Sequence, residues 1–249
     1  MLVLLPPSET KRSGGGAAAL DLNSLSLPEL AGPRQSVLDA VERLSADPPS
    51  AARVLGLGPT QLHEVEVNAR VRTARTMAAI DRYTGVLYDA LDAASLDPAA
   101  RRWLGANVLI QTALLGPVGA LDRIPAYRLG ASASLPGSAP LRRVWAGPVT
   151  AALATAAPRF VLDLRSEAYA ALGPVPATIS SVYVRVVTEG GDGAVRALNH
   201  FNKHAKGDLV RALAQERPRI GSLRALHEWA DRRGLRLRAK RHGEVELFA

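Results

Sequence analysis

Residues 199–211 hold the densest group of side chains that could do chemistry, reading Asn-His-Phe-Asn-Lys-His-Ala-Lys-Gly-Asp-Leu-Val-Arg. Lys203, Lys206 and Arg211 put three cations into this short stretch, and no acid precedes Asp208 to pair them. Such a cluster suits an anionic partner, phosphate above all. The plainer reading of any one of these lysines is a solvated face. Apolar Val195, Leu198, Phe201, Ala205, Leu209 and Ala212 recur at steps of three and four. That period predicts one helix over about 194–215, with this stripe buried and the three cations off it. His200 and His204 stand at i, i+4, a spacing that can share a metal. The Glu of a His-Glu-x-x-His site is missing, the chain has no cysteine, and Asn and Lys surround both rings. No metal and no cofactor are expected.

Three further stretches carry polar groups where a strand would deliver them. Residues 1–5 read as a short buried strand ended by Pro6-Pro7, and Ser8-Glu9-Thr10-Lys11 follow it. Residues 108–112 read as a strand leading into a Gly/Pro loop over 114–119 and then Asp122, Tyr127 and Arg128. Residues 160–164 read as a strand, with Asp163, Arg165, Ser166, Glu167 and Tyr169 at its end, where loops after strands often carry function. Glu9, Asp122 and Glu167 are candidate general acids or bases. Each could equally be a cap or a salt-bridge partner, Asp122 with an arginine. Ser166 has no Gly-x-Ser-x-Gly elbow to make it a nucleophile.

Val54-Leu55-Gly56-Leu57-Gly58-Pro59-Thr60 separates two short predicted helices, the first with Ser50 as its N-cap. The outline is that of a helix–hairpin–helix within 47–75. Its glycines would let the backbone approach a phosphate, and free amides would face the anion. Gly-x-Gly is also an ordinary C-cap and turn. The remaining elements position these segments: helices over 34–44, 68–91, 98–104, 144–156 and 222–233, a strand over 178–187, and a closing hairpin of 235–239 with 245–248. Turns fall at 189–193 and 240–243. Residues 13–16, Ser-Gly-Gly-Gly, lack the Lys-Ser/Thr ending of a phosphate loop and read as a linker. Arg70, Arg72 and Arg75 could extend a basic surface or be solvated.

The chain of 249 residues is long enough for a sizeable core, and its 47% hydrophobic content is that of a globular protein. At 4% aromatics, a broad stacking surface for single-stranded bases is not expected. The net charge is +8, and from Arg196 onward 13 Lys or Arg face 6 Asp or Glu, so nearly all the surplus lies in the last quarter. This favours a localised electrostatic footprint, although Ala-, Arg-, Gly- and Pro-rich composition can also reflect codon usage. Zero cysteine excludes disulfides and thiol chemistry. No signal peptide is apparent, and no apolar run reaches the roughly 20 residues of a membrane helix, so a cytoplasmic protein with no membrane partner is expected.

Six segments in order resemble the YaaA-type peroxide stress protein family. They are Leu4-Leu5-Pro6-Pro7-Ser8-Glu9-Thr10-Lys11, the stretch 83–93, Leu121-Asp122-Arg123-Ile124-Pro125-Ala126-Tyr127-Arg128-Leu129, and the stretches 145–150, 162–169 and 202–211. The resemblance covers essentially the whole chain. It implies one domain over 1–249 with a mixed α/β (α+β) fold, a mixed sheet flanked by helices, a helix–hairpin–helix-like element, a positively charged cleft and DNA binding. The implied role is to limit damage during peroxide stress, linked to control of free iron. The chain departs from the family pattern at Ala113-Leu114-Leu115-Gly116, at Gly147-Pro148, at His204 and at Lys206-Gly207.

Two expectations follow. In the first, the protein binds double-stranded DNA non-specifically, with Lys203, Lys206 and Arg211 on phosphates, helped by Lys11, Arg128 and the amides at Gly56 and Gly58. In the second, it is an enzyme acting on a nucleotide, nucleobase or other anionic small molecule, with Glu9, Lys11, Asp122, Tyr127 and Arg128 around one pocket.

Overall fold

The computed structural model describes residues 1–189, 195–197, 201–240 and 243–248. In chain order its elements are β1 (Leu2–Leu5), α1 (Ala31–Ser45), α2 (Pro48–Leu55), α3 (His63–Ala69), β2 (Met77–Ala78), α4 (Ala79–Arg82), α5 (Val86–Leu91) and α6 (Pro98–Asn107). Then follow β3 (Val108–Thr112), β4 (Gly116–Gly119), β5 (Arg123–Ile124), α7 (Leu141–Ala156), β6 (Val161–Asp163) and α8 (Glu167–Ala170). The last are β7 (Ser181–Glu189), β8 (Val195–Ala197), α9 (Phe201–Glu216), α10 (Leu223–Arg232), β9 (Leu237–Ala239) and β10 (Glu244–Phe248). The fold is mixed α/β, as the sequence predicts.

The main sheet runs β4-β3-β1-β6-β7-β10-β9, with β8 paired to β7. β3, β1, β6, β7 and β10 are mutually parallel, while β4, β8 and β9 are antiparallel additions. β1 ends where Pro6 and Pro7 offer no N–H to the ladder. Because strand side chains alternate, the register separates two faces. Val3, Leu5, Ile110, Leu162, Val182, Val184, Val186, Val245 and Leu247 share one face, and all are buried. The opposite face begins apolar, with Leu4 and Leu109, and turns polar with Gln111, Asp163, Tyr183, Arg185, Glu244 and Glu246. From β1 the chain crosses to β3 on one side, and from β6 it crosses to β7 on the other. The β1/β6 boundary is therefore a topological switch point, the place where open α/β sheets bind ligands outside the carboxyl ends of the strands.

Several elements differ from the sequence expectation. The helix predicted from residue 194 begins at Phe201, and Val195–Ala197 form β8, because pairing with β7 claims their backbone groups. Residues 190–194 and 198–200 lie outside the described residues, and with them the 189–193 turn, His200 and part of the apolar stripe. So do residues 241 and 242 of the 240–243 turn. The expected helix over 68–91 is broken, with α3 ending at Ala69, Met77–Ala78 pairing with Arg123–Ile124, and Gly85 at φ 95° opening α5. The expected 114–119 loop is the edge strand β4. Its Gly116 has φ 64°, and a Cβ there would press into the Trp145 ring. α2 is capped by Asp47, whose carboxylate accepts from the Ser50 amide, so Ser50 is not the cap.

Candidate functional site

The turn after β1 is held from several sides. Lys11 Nζ donates back to the carbonyls of Ser8 (3.0 Å) and Glu9 (3.2 Å) and lies 4.2 Å from the centroid of the Tyr127 ring and 5.4 Å from that of Tyr83. The Tyr83 and Tyr127 hydroxyls share a 2.8 Å hydrogen bond, and Tyr88 donates to the Pro6 carbonyl at 2.8 Å. Burial pushes the pKa of Tyr83, Tyr88, Tyr127 and Tyr169 up, so all four stay protonated at neutral pH. Burial lowers Lys11 to about 7; Arg128 and Arg82 push the same way, and Glu64 and Glu9 oppose them.

Arg128 reaches Glu9 at 3.1 Å, with its side chain 15% exposed against 77% for Glu9. Its backbone is pinned by Asn68, which accepts from the Arg128 amide and donates to its carbonyl, each at 2.8 Å. Glu9, Lys11, Tyr127 and Arg128 thus converge. Asp122 does not join them. Its carboxylate accepts from the Ser26 amide (2.8 Å), the Ser26 hydroxyl (3.0 Å) and the Gly119 amide (2.8 Å), which ties the 20–30 segment to β4.

A second polar cluster occupies the sheet face at the end of β6 and the first half of β7. Arg165 grips Asp163 through Nε (2.9 Å) and Nη2 (2.7 Å), and its Nη1 reaches the Gly173 carbonyl (2.8 Å) and Gln111 Oε1 (3.3 Å). Arg185 bridges Glu244 and Glu167, each at 3.0 Å. Lys206, on α9, projects onto this face with its Nζ 5.9 Å from the Tyr183 ring centroid. It is only 5% exposed, and it makes no hydrogen bond or ion pair among the described residues. Burial lowers it to about 8; Asp163 opposes the shift and Arg185 adds to it.

The three cations read from the 199–211 stretch therefore part company. Lys203 is exposed. Lys206 lies on the inward side together with Leu209, Val210 and Leu213, because α9 packs against both α5 and β7 and buries more than one stripe. Arg211 closes the end of α5, donating to the carbonyls of Leu91 (2.8 Å) and Asp92 (3.0 Å) and to the Ser95 hydroxyl (2.9 Å). Gly207 sits against Leu87 of α5, where any Cβ would overlap the Leu87 carbonyl. The glycine turn at 56–58 keeps its amides to itself. Gly56 donates to Ala52 and Arg53, and Gly58 donates to the Gln61 side chain at 3.1 Å. Arg72 is paired with Asp39 and Glu42. His204 bonds to Asp208 at 2.8 Å. Among the described residues no group of three or more acids or histidines could hold a metal.

Sequence reasoning missed Gln111, Asn68 and the buried arginines Arg34 and Arg82. Arg82 donates to the carbonyls of Arg12, Gly14, Arg75 and Ile124 and so staples the segment after β1. Arg34 does the same for carbonyls of residues 26, 27, 115 and 117. Gln111 alone left a signal, as the one amide in the apolar strand Val108–Thr112. A cleft of about 620 Å³ is lined by residues of α1, α7 and the segment before α7, and none of the clustered polar groups faces it.

A family model described as "Peroxide stress protein YaaA" matches residues 1–241. A UPF0246 protein of Corynebacterium efficiens is 45% identical, covering 86% of this chain and 85% of its own length. A UPF0246 protein of Streptomyces coelicolor is 44% identical, over 86% and 82%. A more distant one from Polynucleobacter asymbioticus is 25% identical, over 87% and 86%. The chain belongs to the YaaA family of peroxide stress proteins.

Proposed function

We propose that this peroxide stress protein binds the backbone of duplex DNA without reading its sequence, and so limits oxidative damage to it in the cytoplasm. The observation that carries this reading is the stretch 217–240, which forms α10, β9 and their flanks. It holds eight exposed Lys or Arg, of which Arg217, Arg233, Arg238 and Lys240 pair with Asp97, Glu216 and Glu246. Arg219 and Arg232 have no ion-pair partner among the described residues, and Arg224 meets Glu228 only at 3.7 Å. Exposed arginines on a shared surface suit phosphates, which they hold without touching the bases. Lys203 adds to this charge, whereas Lys206, Arg211 and the 56–58 amides have the internal roles described above. The reading takes residues 1–249 as one domain, which the single hydrophobic core cluster supports. Among the described residues no helix is long and apolar enough to cross a membrane.

The test is fluorescence anisotropy with duplex DNA across a salt series. The wild type should weaken steeply with salt. Combined Arg219→Ala, Arg224→Ala and Arg232→Ala should lower the salt slope by about one for each phosphate that is no longer neutralised. No binding at moderate salt, or an unchanged slope in the triple variant, removes the reading.

The convergence of Glu9, Lys11, Tyr127 and Arg128 favours a second reading, an enzyme acting on a nucleotide, nucleobase or other anionic small molecule. Thermal-shift screening of nucleotides on the wild type and on Lys11→Met tests it. A nucleotide response that Lys11→Met abolishes supports it, and equal responses sink it.

A further inference from the structure

Among the described residues, the acids of the sheet's polar face and of the loop after β6 each meet at least one cation. Asp163 is claimed by Arg165, Glu167 and Glu244 by Arg185, and Glu246 by Arg238 (2.6 Å) and Lys240 (2.5 Å). Lys206 is the cation left over, buried beside Tyr183. Two amide atoms of the same region are also left over. Asn202 Oδ1, one turn earlier on α9, is buried without a hydrogen bond. So is Gln111 Nε2, on a residue 1% exposed whose oxygen accepts from Arg165. An unpaired buried ammonium costs several kcal/mol, and an unsatisfied buried amide atom about 1–3 kcal/mol. Lys206 and Asn202 stand one turn apart on α9, and Gln111 is joined through Arg165 to Asp163, the strand partner of Tyr183; unsatisfied donors and an acceptor of this kind are what a ligand would complete. Gln111 and Asp163 stand at the carboxyl ends of β3 and β6, with Tyr183 of β7 in register with Asp163, and the carboxyl ends of strands beside a switch point are where open α/β sheets bind small molecules.

We propose that Lys206 anchors a binding site for a compact oxyanion, a carboxylate or a phosphate, that also carries a hydroxyl or amino donor. The oxyanion pairs with the Lys206 ammonium, the ligand's donor meets Asn202 Oδ1, and Gln111 Nε2 offers a second donor to the same face. Because Arg165 and Arg185 already pair with acids, the Lys206 ammonium is the cation left to meet an anionic ligand. This site is separate from the exposed basic surface of 217–240, and neither requires the other.

The experiment is thermal unfolding of the whole chain with glycolate and with glycerol 3-phosphate as probes, against chloride at matched ionic strength. At least one probe should raise the Tm of the wild type saturably, and Lys206→Met should respond at least tenfold more weakly. A response to glycolate alone or to glycerol 3-phosphate alone assigns the oxyanion as carboxylate or phosphate. Since Lys206→Met keeps the length of the side chain and removes an unmatched charge, the variant without ligand should melt at or above the wild-type Tm. DNA binding and its salt slope should be unchanged in this variant. No probe effect beyond chloride, or an equal effect on Lys206→Met, overturns the proposal. Loss of DNA binding in Lys206→Met would also overturn it, by assigning the lysine to the phosphate backbone.

Discussion

Lys11, after β1, and Lys206, against β7, are both withdrawn from water, and both have pKa values pushed down by burial, to about 7 and about 8. They differ in what surrounds the ammonium. Lys11 is enclosed by its own turn, two carbonyls accepting from it and two tyrosine faces beside it. Lys206 has one ring at 5.9 Å and no acceptor among the described residues. The Lys11 side chain is held by two carbonyl acceptors even though burial lowers its pKa further than that of Lys206, so the residue organises the loop that presents Glu9 to Arg128. The desolvation of Lys206 is not offset, so an external group can still change its energy. Burial alone does not distinguish a structural lysine from a binding one, whereas the number of acceptors around the ammonium does.

The comparison can be broken most forcibly at Arg165. Arg165→Ala strips Asp163 of its partner and should cost about 3–5 kcal/mol in denaturant unfolding. A loss below about 1 kcal/mol would mean that Lys206 turns to Asp163 and serves as its spare counter-ion, and the contrast between the two lysines would then fail. Next come opposite signs for the same substitution. Lys206→Met should stabilise the protein by about 1–3 kcal/mol at pH 7. Lys11→Met should destabilise it by about 1–2 kcal/mol, because the two carbonyls lose their donor and the tyrosine faces lose their cation. Equal signs in urea unfolding would erase the distinction.

The pH dependence sharpens it further. Both lysines titrate lower in the folded state than in the unfolded chain, where the ordinary value is 10.5. Below pH 7 both states are protonated and the cost of burying the charge is fully present. As pH rises from about 7 toward 10.5 the unfolded state holds more protons, so stability should climb. Lys206→Met should flatten the part of this rise above pH 8, and Lys11→Met the part that begins near pH 7, in Tm measured against pH. The smallest effect is expected at Lys203, which is exposed, so Lys203→Ala should change stability by less than about 0.5 kcal/mol.

Much of the framework was legible because it is local. The apolar run before Pro6, the alternation within β7, the stripe Val37, Leu38, Val41 and Leu44 of α1, and the Ser222 cap of α10 with Gly234 after it each obey a short-range rule. The site was legible only as a set of segments. The turn after β1, the 122–128 stretch and the 163–169 stretch were each singled out, yet nothing in their spacing said that Arg128 would meet Glu9 or that Asp122 would turn away to Ser26.

The sequence by itself determined the mixed α/β class, the basic surplus of the last quarter, the absence of thiol chemistry and the family. These depend on composition and on patterns shorter than one element. Tertiary structure alone decided which of Lys203, Lys206 and Arg211 is exposed, which is buried and which is a cap. A helix packed on two neighbours buries more than one stripe, so a single periodicity cannot tell inside from outside. Tertiary structure also decided that Arg165 joins Gln111 to Asp163 and that Lys206 of α9 comes to Tyr183, because the strand order and the packing of α9 on β7 bring together residues far apart in the chain.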